Sequence, residues 1–311
     1  MSLKLASISI DLDEVPRYAA IHGVDPPGEP GACAVYARCL PRFRSWLDDE
    51  SIRATFFVIG QDLEREANRR AVAELAAEGH EIGNHSYQHQ YDLTRRAAGD
   101  IGAEIARGAE AIERACGKRP RGFRAPGYTV SDVLFSALDA NGVEYDSSVF
   151  PCPSYYAAKA AALAAMRLRG KKSASIMDGP AVLRAPREPY RVGRPYWTRG
   201  DGLLELPIAV TPLQLPYIGT SLVLGGERVA EELSRQMLGR ALINLELHGL
   251  DLADAEEDGL EALVPHRADL RRSAVVKLRA LRKAIHVLRD AGYELVTLEE
   301  AAARFGATPS R

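Results

Sequence analysis

The chain of 311 residues is long enough for one large domain with a buried core, and its shares of apolar (46%) and charged (26%) residues exclude a disordered chain. Its formal net charge of -2 offers no overall attraction to nucleic acid, and no stretch approaches the roughly 18 uninterrupted apolar residues of a membrane span. The four cysteines form no Cys-x-x-Cys pair, and Asp11 and Asp13 interrupt the first apolar run before a signal peptide is complete, so we expect reduced thiols and a cytoplasmic protein.

Short apolar segments alternate with longer segments of helical period along the chain. The first two are residues 5–10 and 55–59, and further ones surround residues 122, 143, 204, 242 and 293. Gly79, Gly142 and Gly292 each end a helical segment just before a strand, as expected where glycine closes a helix in the left-handed conformation. This alternation predicts an α/β fold with a parallel sheet or barrel.

Two helices have clear sequence signals. Near the C-terminus, apolar residues step by four and three and so form one stripe, at positions 274, 278, 281, 285 and 288. Earlier in the chain, Ser131 precedes an apolar run and is a typical N-cap. Both patterns predict helices that pack on the sheet.

Two carboxylates, Asp11 and Asp13, lie at the end of the first predicted strand. Because side chains alternate along a strand, both would face the same side. An unpaired carboxylate is costly to bury, so the pair is either exposed at the strand end or engaged by a cation.

Two histidines, His85 and His89, follow a predicted strand at residues 80–83. Their spacing would present both imidazoles to one side if the segment turned helically, as in many metal sites. Capping or surface positions are an equally good interpretation of such a pair taken alone. Its place at the carboxyl end of a strand, where α/β folds bind ligands, favours the metal site.

Three further polar groups also follow predicted strands. Residues 122–128, Gly-Phe-Arg-Ala-Pro-Gly-Tyr, carry Arg124 in a tight turn, where its guanidinium could pair with a carboxylate. Asp146 follows the strand near residue 143, and His248 ends the strand that begins near residue 242. Each alone is typical of a structural loop residue, but all five groups would meet on the one rim where a barrel assembles a site.

The ordered motifs resemble those of the NodB-homology polysaccharide deacetylases, carbohydrate esterase family 4. These are an Asp pair, a His-Ser-x-x-His pair, an Arg-x-Pro turn, a further Asp motif and a late Leu-x-His. The resemblance spans about residues 6–250 and includes the strand at 55–60. It implies a single domain over residues 1–311, a distorted (β/α) barrel of the deacetylase type, with an insertion or lid at 152–202.

The resemblance also implies a metal site. Asp13, His85 and His89 would bind one divalent ion and leave a position open for water. Zn²⁺ is the first expectation, and Co²⁺, Ni²⁺, Fe²⁺ or Mn²⁺ are the alternatives.

The same resemblance implies catalytic roles. Asp11 would be the general base, held ionised by Arg124. His248 would protonate the departing amine, with support from Asp146.

Substrate-contacting groups are expected in the turn and in the insertion. A backbone N–H of Gly127 or Tyr128 would stabilise the oxyanion, as the resemblance implies. In the insertion, Trp197, with Tyr190 and Tyr196, could stack on a sugar ring or could be ordinary loop packing.

The sequence leaves several substrate classes in question. The Asp-Leu-Asp spacing and the Ala-Pro-Gly turn resemble the branch that includes cyclic-imide and allantoin hydrolases and lipid-linked aminoarabinose deformylases. We therefore expect N-deacetylation or N-deformylation of a sugar or lipid-linked sugar. The alternatives are a cyclic-imide or allantoin-type amide hydrolase, and a non-catalytic sugar-binding module.

A possible membrane contact lies in residues 155–172, which have strong helix propensity and a cationic end. Such a segment could rest on an anionic membrane surface, so the cytoplasmic protein could be peripheral at the inner face of the membrane. No nucleic-acid partner is expected, and the sequence predicts no particular oligomeric state.

Overall fold

One curled sheet organises the computed structural model, which describes residues 3–307. Its nine strands within these residues are β1 Leu5–Asp11, β2 Thr55–Val58, β3 Glu81–Asn84, β4 Gly122–Phe123, β5 Tyr145–Asp146, β6 Tyr190–Val192, β7 Arg199–Glu205, β8 Leu242–His248 and β9 Glu294–Leu295. They are ordered β6-β7-β5-β4-β3-β2-β1-β8, and β9 also pairs with β1. All pairings are parallel except that of β6 with β7.

Helices connect most of the strands. They are α1 Val15–His22, α2 Leu40–Asp49, α3 Glu66–Ala77, α4 Ala98–Cys116, α5 Asp132–Ala140, α6 Pro153–Leu168, α7 Gly219–Gly225, α8 Glu227–Met237, α9 Ala274–Asp290 and α10 Leu298–Gly306. Within residues 3–307, none of them is both long enough and apolar enough to cross a bilayer.

The curl of the sheet brings its two ends together. The segment after β7 reaches β8, where Ala209 N donates to the Asn244 carbonyl oxygen at 3.1 Å. The Asn244 side chain donates in turn to the Leu206 carbonyl oxygen at 3.2 Å. The predicted α/β barrel is confirmed as a curled, mostly parallel half-barrel.

Local sequence signals produced the expected junctions. Gly79, Gly142 and Gly292 have φ values of +86°, +71° and +79°, a region that favours glycine, just before the chain returns to the sheet. Ser131 Oγ accepts from Leu134 N at 3.1 Å and caps α5, as predicted.

The stripe of α9 is buried as predicted, with one addition. Leu281, Ile285 and Leu288 are in the core, but Lys277 is also fully buried on this helix. Its ammonium donates to the Ala253 carbonyl oxygen at 2.8 Å and lies 3.8 Å from Asp269. A buried charge is tolerated there because its donors have acceptors.

Strand β1 is buried along its whole length, and its two faces differ in chemistry. Ile8 and Ile10 belong to the large apolar cluster that also contains Phe43. Ser9 and Asp11 lie on the opposite face, where both contact the buried Arg124. The inside of the half-barrel is therefore polar beneath the rim.

Residues 152–202 connect β5 to β7 and contain α6 and β6. The helix predicted at 155–172 is found as α6, and it ends earlier, before Gly170 with its φ of +68°. Strand β6 extends the edge of the sheet, and α6 forms one wall of a cleft at the rim of the half-barrel.

Candidate metal centre and active site

Parallel register brings the predicted motifs to one rim. Asp11 is the register partner of His248 across β1 and β8, so the ends of these strands lie side by side. Asn84 pairs with Phe123 across β3 and β4, which places His85 beside Arg124. The rim that sequence spacing could only suggest is thus set by strand pairing.

Asp13, His85 and His89 converge at this rim. Asp13 Oδ1 lies 3.4 Å from His85 Nε2, and Asp13 Oδ2 lies 3.2 Å from His89 Nε2. Ligand atoms at about 2.1 Å from a tetrahedral metal lie roughly 3.4 Å apart, which matches these separations. The three residues are buried, and one ligand atom from each lies within 4.8 Å of the others.

The segment between the two histidines is a loop and not the helical turn considered from their spacing. Ser86 and His89 have φ values of 62° and 57°, and His89 N donates to Ser86 Oγ at 3.0 Å. This closed loop, not helical periodicity, brings the two imidazole rings to a centroid separation of 4.7 Å.

Unpartnered polar atoms test whether the site fits a metal. Asp13 Oδ1 and His89 Nε2 are buried and have no hydrogen-bond partner among residues 3–307. His85 Nδ1 lies 2.7 Å from the Arg124 carbonyl oxygen, which can only accept, so the proton belongs on Nδ1 and the Nε2 lone pair faces the site. One carboxylate and two imidazole nitrogens suit Zn²⁺ and its first-row neighbours.

The ionisation of Asp13 and His89 agrees with that fit, whereas for His85 burial is outweighed by Asp11 and Asp13, which raise its pKa. Burial opposes the charged form of Asp13, but His89 and His85 outweigh it and hold the pKa of Asp13 well below its usual value. Burial lowers the pKa of His89 to about 4. A charged carboxylate and a neutral imidazole are the forms that bind metals.

Arg124 holds Asp11 in place beside the three candidate metal ligands. Arg124 Nη1 donates to Asp11 Oδ1 at 2.7 Å, and its other nitrogens donate to the Ser147 carbonyl oxygen and to Ser9 Oγ, both at 2.8 Å. Its guanidinium carbon also lies 4.2 Å from the centre of the Phe57 ring. Burial raises the pKa of Asp11 and Arg124 opposes that rise, which leaves a carboxylate that can accept a proton.

His248 lies on the other side of Asp11 and is paired with Glu246. Glu246 Oε1 is 3.0 Å from His248 Nδ1, and the Tyr128 hydroxyl is 3.1 Å from His248 Nε2. Burial works against the charged imidazole, but Glu246 outweighs it and raises the pKa of His248 to about 10. Glu246 was not predicted from the sequence, although strand alternation places it on the same face as His248.

The partners of Asp146 differ from the His248 partner that was predicted for it. Its carboxylate accepts from Ser148 N at 3.0 Å and from Ser148 Oγ at 2.8 Å, and it shares a hydrogen bond with Glu205 on the neighbouring strand. Burial and Asp146 raise the pKa of Glu205 well above its usual value, so the two carboxyl groups share a proton. The support of His248 predicted for Asp146 is therefore provided by Glu246 instead.

The turn after Arg124 decides which of the two backbone N–H groups predicted to stabilise the oxyanion is free to do so. Gly127 and Tyr128 both have left-handed φ values, 63° and 60°. The Tyr128 N–H donates to the Ala125 carbonyl oxygen at 3.1 Å and is thus used within the turn. The oxyanion prediction therefore rests on Gly127, and Tyr128 contributes its phenol instead.

A cleft of about 560 Å³ opens at this rim, and the polar residues of the site that line it are Asp11, Asp13, His85, Gly127, Tyr128 and His248. Its aromatic walls are Tyr18, Tyr91, Tyr128 and Tyr155, and aliphatic side chains of α6, α7 and residues 215–218 line the rest. Trp197, which could stack on a sugar ring or be ordinary loop packing, packs with Tyr196 in a separate apolar cluster and does not line the cleft.

The comparisons with known proteins agree with this architecture. Residues 34–145 match the family model described as polysaccharide deacetylase. A chitooligosaccharide deacetylase from Bradyrhizobium sp. is 34% identical over 115 residues, which are 36% of this chain and 51% of that protein. The chain spans about half or less of the length of the curated relatives it matches.

Solved structures share the fold at low identity. A candidate polysaccharide deacetylase from Mycobacterium smegmatis aligns with a TM-score of 0.58 and 18% identity over 99% of this chain and 94% of that one. A carbohydrate esterase family 4 pseudoenzyme from Bacillus anthracis aligns with a TM-score of 0.52 and 15% identity over 96% and 66%. The family model over residues 34–145 and the curated relatives support a relationship to the NodB-homology polysaccharide deacetylases, carbohydrate esterase family 4, and the solved structures show that the fold is shared.

Proposed function

We propose that this protein is a metal-dependent hydrolase that removes an N-acyl group, acetyl or formyl, from a sugar or a lipid-linked sugar. The observation that carries the proposal is the convergence of Asp13, His85 and His89 beside a carboxylate, Asp11, that Arg124 holds in place. Relatives named as deacetylases of chitooligosaccharide and of peptidoglycan N-acetylglucosamine support a sugar amide as the substrate class.

The metal would be held by Asp13, His85 and His89. Zn²⁺ suits this donor set, and Co²⁺, Ni²⁺, Fe²⁺ or Mn²⁺ are the alternatives. When bound, the ion would polarise the amide carbonyl and make a bound water more acidic.

Asp11 is placed to act as the general base. Its Oδ1 is held by Arg124, so its Oδ2, which lies 3.8 Å from His85 Nε2, faces the ligand set. A carboxylate in that position can take a proton from the attacking water. Arg124 acts through Asp11, because its own donors are engaged by the protein.

His248 is placed to act as the general acid. With Glu246 against Nδ1, the imidazole is protonated at neutral pH, and its Nε2 side faces the cleft. An amine leaves poorly unless it is protonated, so a charged His248 would donate its proton to the departing nitrogen. The Gly127 N–H remains the backbone candidate for stabilising the oxyanion.

The apolar lining of the cleft indicates what kind of substrate it favours. Ile21, Ala162, Leu215 and Leu224 line it around the polar centre. Such walls favour a substrate with an apolar portion over a bare polysaccharide strand. The same walls would also suit a small cyclic amide, which keeps an imide or allantoin-type substrate as the second candidate.

The deciding experiment is an acid-release screen on metal-analysed protein. We expect acetate or formate from N-acylated sugars or lipid-linked sugars, and activity that disappears with a chelator and returns with Zn²⁺ or another first-row ion. Ring opening of imides without such release would favour the second candidate. Sugar binding without turnover in metal-replete protein would overturn hydrolysis and indicate a binding module.

We also propose that residues 152–202 act as a lid over the cleft, and that residues 155–172 within this segment make a peripheral contact with an anionic membrane surface on the cytoplasmic side. Leu168 at the end of α6 is 89% exposed, and Arg167, Arg169, Lys171 and Lys172 surround it. An exposed leucine among cations suits the interface of a bilayer with anionic lipids. Co-sedimentation with phosphatidylglycerol vesicles should exceed that with phosphatidylcholine vesicles, and equal binding to both would refute the contact.

A further inference from the structure

Lys159 is the cation in the mainly apolar α6 wall of the proposed catalytic cleft. It lies on α6, between Ala158 and Ala162 on the same wall, while Leu215 and Leu224 line another part of the cleft. Its ammonium approaches the Gly127 carbonyl oxygen at 3.5 Å, the long limit of a hydrogen bond. Lys159 therefore adjoins the turn that carries the oxyanion candidate.

The ammonium of Lys159 has no ion-pair partner. No carboxylate of the described part of the chain, residues 3–307, lies within 4.0 Å of it, and the Tyr155 ring centre is 5.8 Å away. The nearby Asp178 is engaged elsewhere, since its two oxygens accept from Val130 N at 3.0 Å and Gly179 N at 2.7 Å. Burial lowers the pKa of Lys159 to about 8, and Asp178 offsets only part of that effect.

A buried lysine with a purely structural role looks different in this protein. Lys277 donates to the Ala253 carbonyl oxygen at 2.8 Å and has Asp269 at 3.8 Å. Lys159 has no acceptor closer than 3.5 Å and no carboxylate within 4.0 Å, although its ammonium carries three N–H donors. Because the side chain is only partly buried, its ammonium is accessible from the cleft, and an anion there would give these donors a charged acceptor.

We infer that Lys159 forms an anion subsite that recognises a phosphate ester on the substrate, next to the N-acyl group that is hydrolysed. The inference rests on the proposed function and makes Lys159 a specificity-determining residue. An anion there would complete the ammonium's hydrogen bonds on the α6 side of the cleft. The subsite adjoins the reaction centre, because Gly127 is bonded to Tyr128, whose hydroxyl contacts His248 at 3.1 Å.

The phosphate could belong to a free sugar phosphate or to the link between a sugar and a lipid. Both present the same charged oxygens to Lys159. They differ in the group on the far side of the phosphate, because the hydrocarbon chain of a lipid could also cover Leu215 and Leu224.

The test compares three N-acyl substrates with the metal-loaded protein: N-acetylglucosamine, its 1-phosphate, and its farnesyl diphosphate conjugate in detergent. A charge-assisted contact predicts a kcat/KM about tenfold or more higher for the phosphorylated compounds than for the neutral sugar. In Lys159→Met this ratio should fall to about one, whereas Lys159→Arg and the exposed control Lys118→Met, which lies outside the cleft, should keep it. A further gain with the farnesyl conjugate indicates a lipid-linked phosphate, and no gain indicates a free sugar phosphate.

A second measurement separates failure of the subsite from failure of the proposed function. Calorimetric titration with glucosamine 1-phosphate, which has no acyl group to lose, should give about tenfold weaker binding in Lys159→Met, with glucosamine as the neutral comparison. Loss of affinity without hydrolysis of any substrate would uphold the subsite and refute the deacylase. An unchanged kcat/KM ratio and unchanged affinity in a folded Lys159→Met protein would overturn the subsite.

Discussion

Two histidine–carboxylate pairs lie at the same rim of the half-barrel, and the pKa values of their imidazoles are shifted in opposite directions. On the ligand side, burial lowers the pKa of His89 to about 4 although Asp13 lies 3.2 Å away. On the other side, Glu246 at 3.0 Å raises the pKa of His248 to about 10. Both imidazoles are buried beside a carboxylate, so the carboxylate alone does not decide their charge.

The wider charge balance accounts for the difference. His89 has the His85 ring and Arg17 among its neighbours, and both disfavour a second positive charge. His248 has Asp11 and Asp251 in addition to Glu246, and all three favour protonation. The same residue type is thus held neutral or charged according to the cations and anions around it.

The largest loss of activity is expected when one of the proposed metal ligands is removed. Asp13→Ala or His89→Ala should lower metal content to background and activity by roughly a thousandfold or more, because the remaining donors hold the ion weakly. Metal analysis and the acid-release assay check this result. His286→Ala, on the exposed face of α9, is the matched control, and stoichiometric metal in Asp13→Ala would contradict the ligand set.

The base can be removed without disturbing the ligands. Asp11→Asn keeps the shape of the side chain but cannot accept a proton, so we expect a loss of about 10²- to 10⁴-fold in kcat with full metal content. Metal stoichiometry and kcat measured on one preparation test this prediction. A loss of metal in proportion to activity would show that Asp11 is a ligand.

The pKa of His248, the proposed general acid, can be shifted without removing the histidine itself. Glu246→Gln takes away the main cause of the raised pKa of His248, so that pKa should fall from about 10 toward the ordinary value near 6.5. Since the acid must be protonated, activity on the alkaline side should begin to fall at a lower pH, with about a tenfold loss at pH 8. A pH–kcat profile identical to that of the wild type would exclude Glu246 as the positioning residue.

The smallest loss of activity is expected from a substitution in the residues that pack behind the turn at 124–128. Ser148 Oγ accepts from Ala125 N at 2.8 Å and donates to Asp146 at 2.8 Å, so it links the turn to the buried carboxyl pair. Ser148→Ala should leave the Ala125 N–H unsatisfied, cost about 1–3 kcal/mol of unfolding free energy and lower kcat several-fold. Denaturant unfolding, with the exposed Ser136→Ala as control, tests it, and an unchanged unfolding free energy would show that water replaces the hydroxyl.

Much of the site was predictable because its motifs are local. Asp11 and Asp13 lie at the end of a hydrophobic strand, and His85 and His89 follow another, so strand ends and spacing placed them on one rim. Arg124 was expected beside a carboxylate and lies 2.7 Å from Asp11. These residues are close in space because parallel strands end together.

Other parts were not predictable because they depend on which strands pair and where a loop turns. Asp146 and Glu205 share a proton because β5 and β7 are neighbours in register. Trp197 packs away from the cleft, and tyrosines from α1, α6 and the rim loops form its aromatic walls. No spacing in the sequence contains that information.

The sequence by itself determined the α/β class, most of the strands that alternate with helices, and the residues proposed for metal binding and proton transfer, because these depend on hydrophobic period and local motifs. Only the tertiary structure decided that Glu246 partners His248, that the Tyr128 phenol and not its N–H meets the site, and that Lys159 enters the cleft. Such contacts join residues distant in the chain, and their distances depend on packing, register and loop conformation that no local pattern encodes.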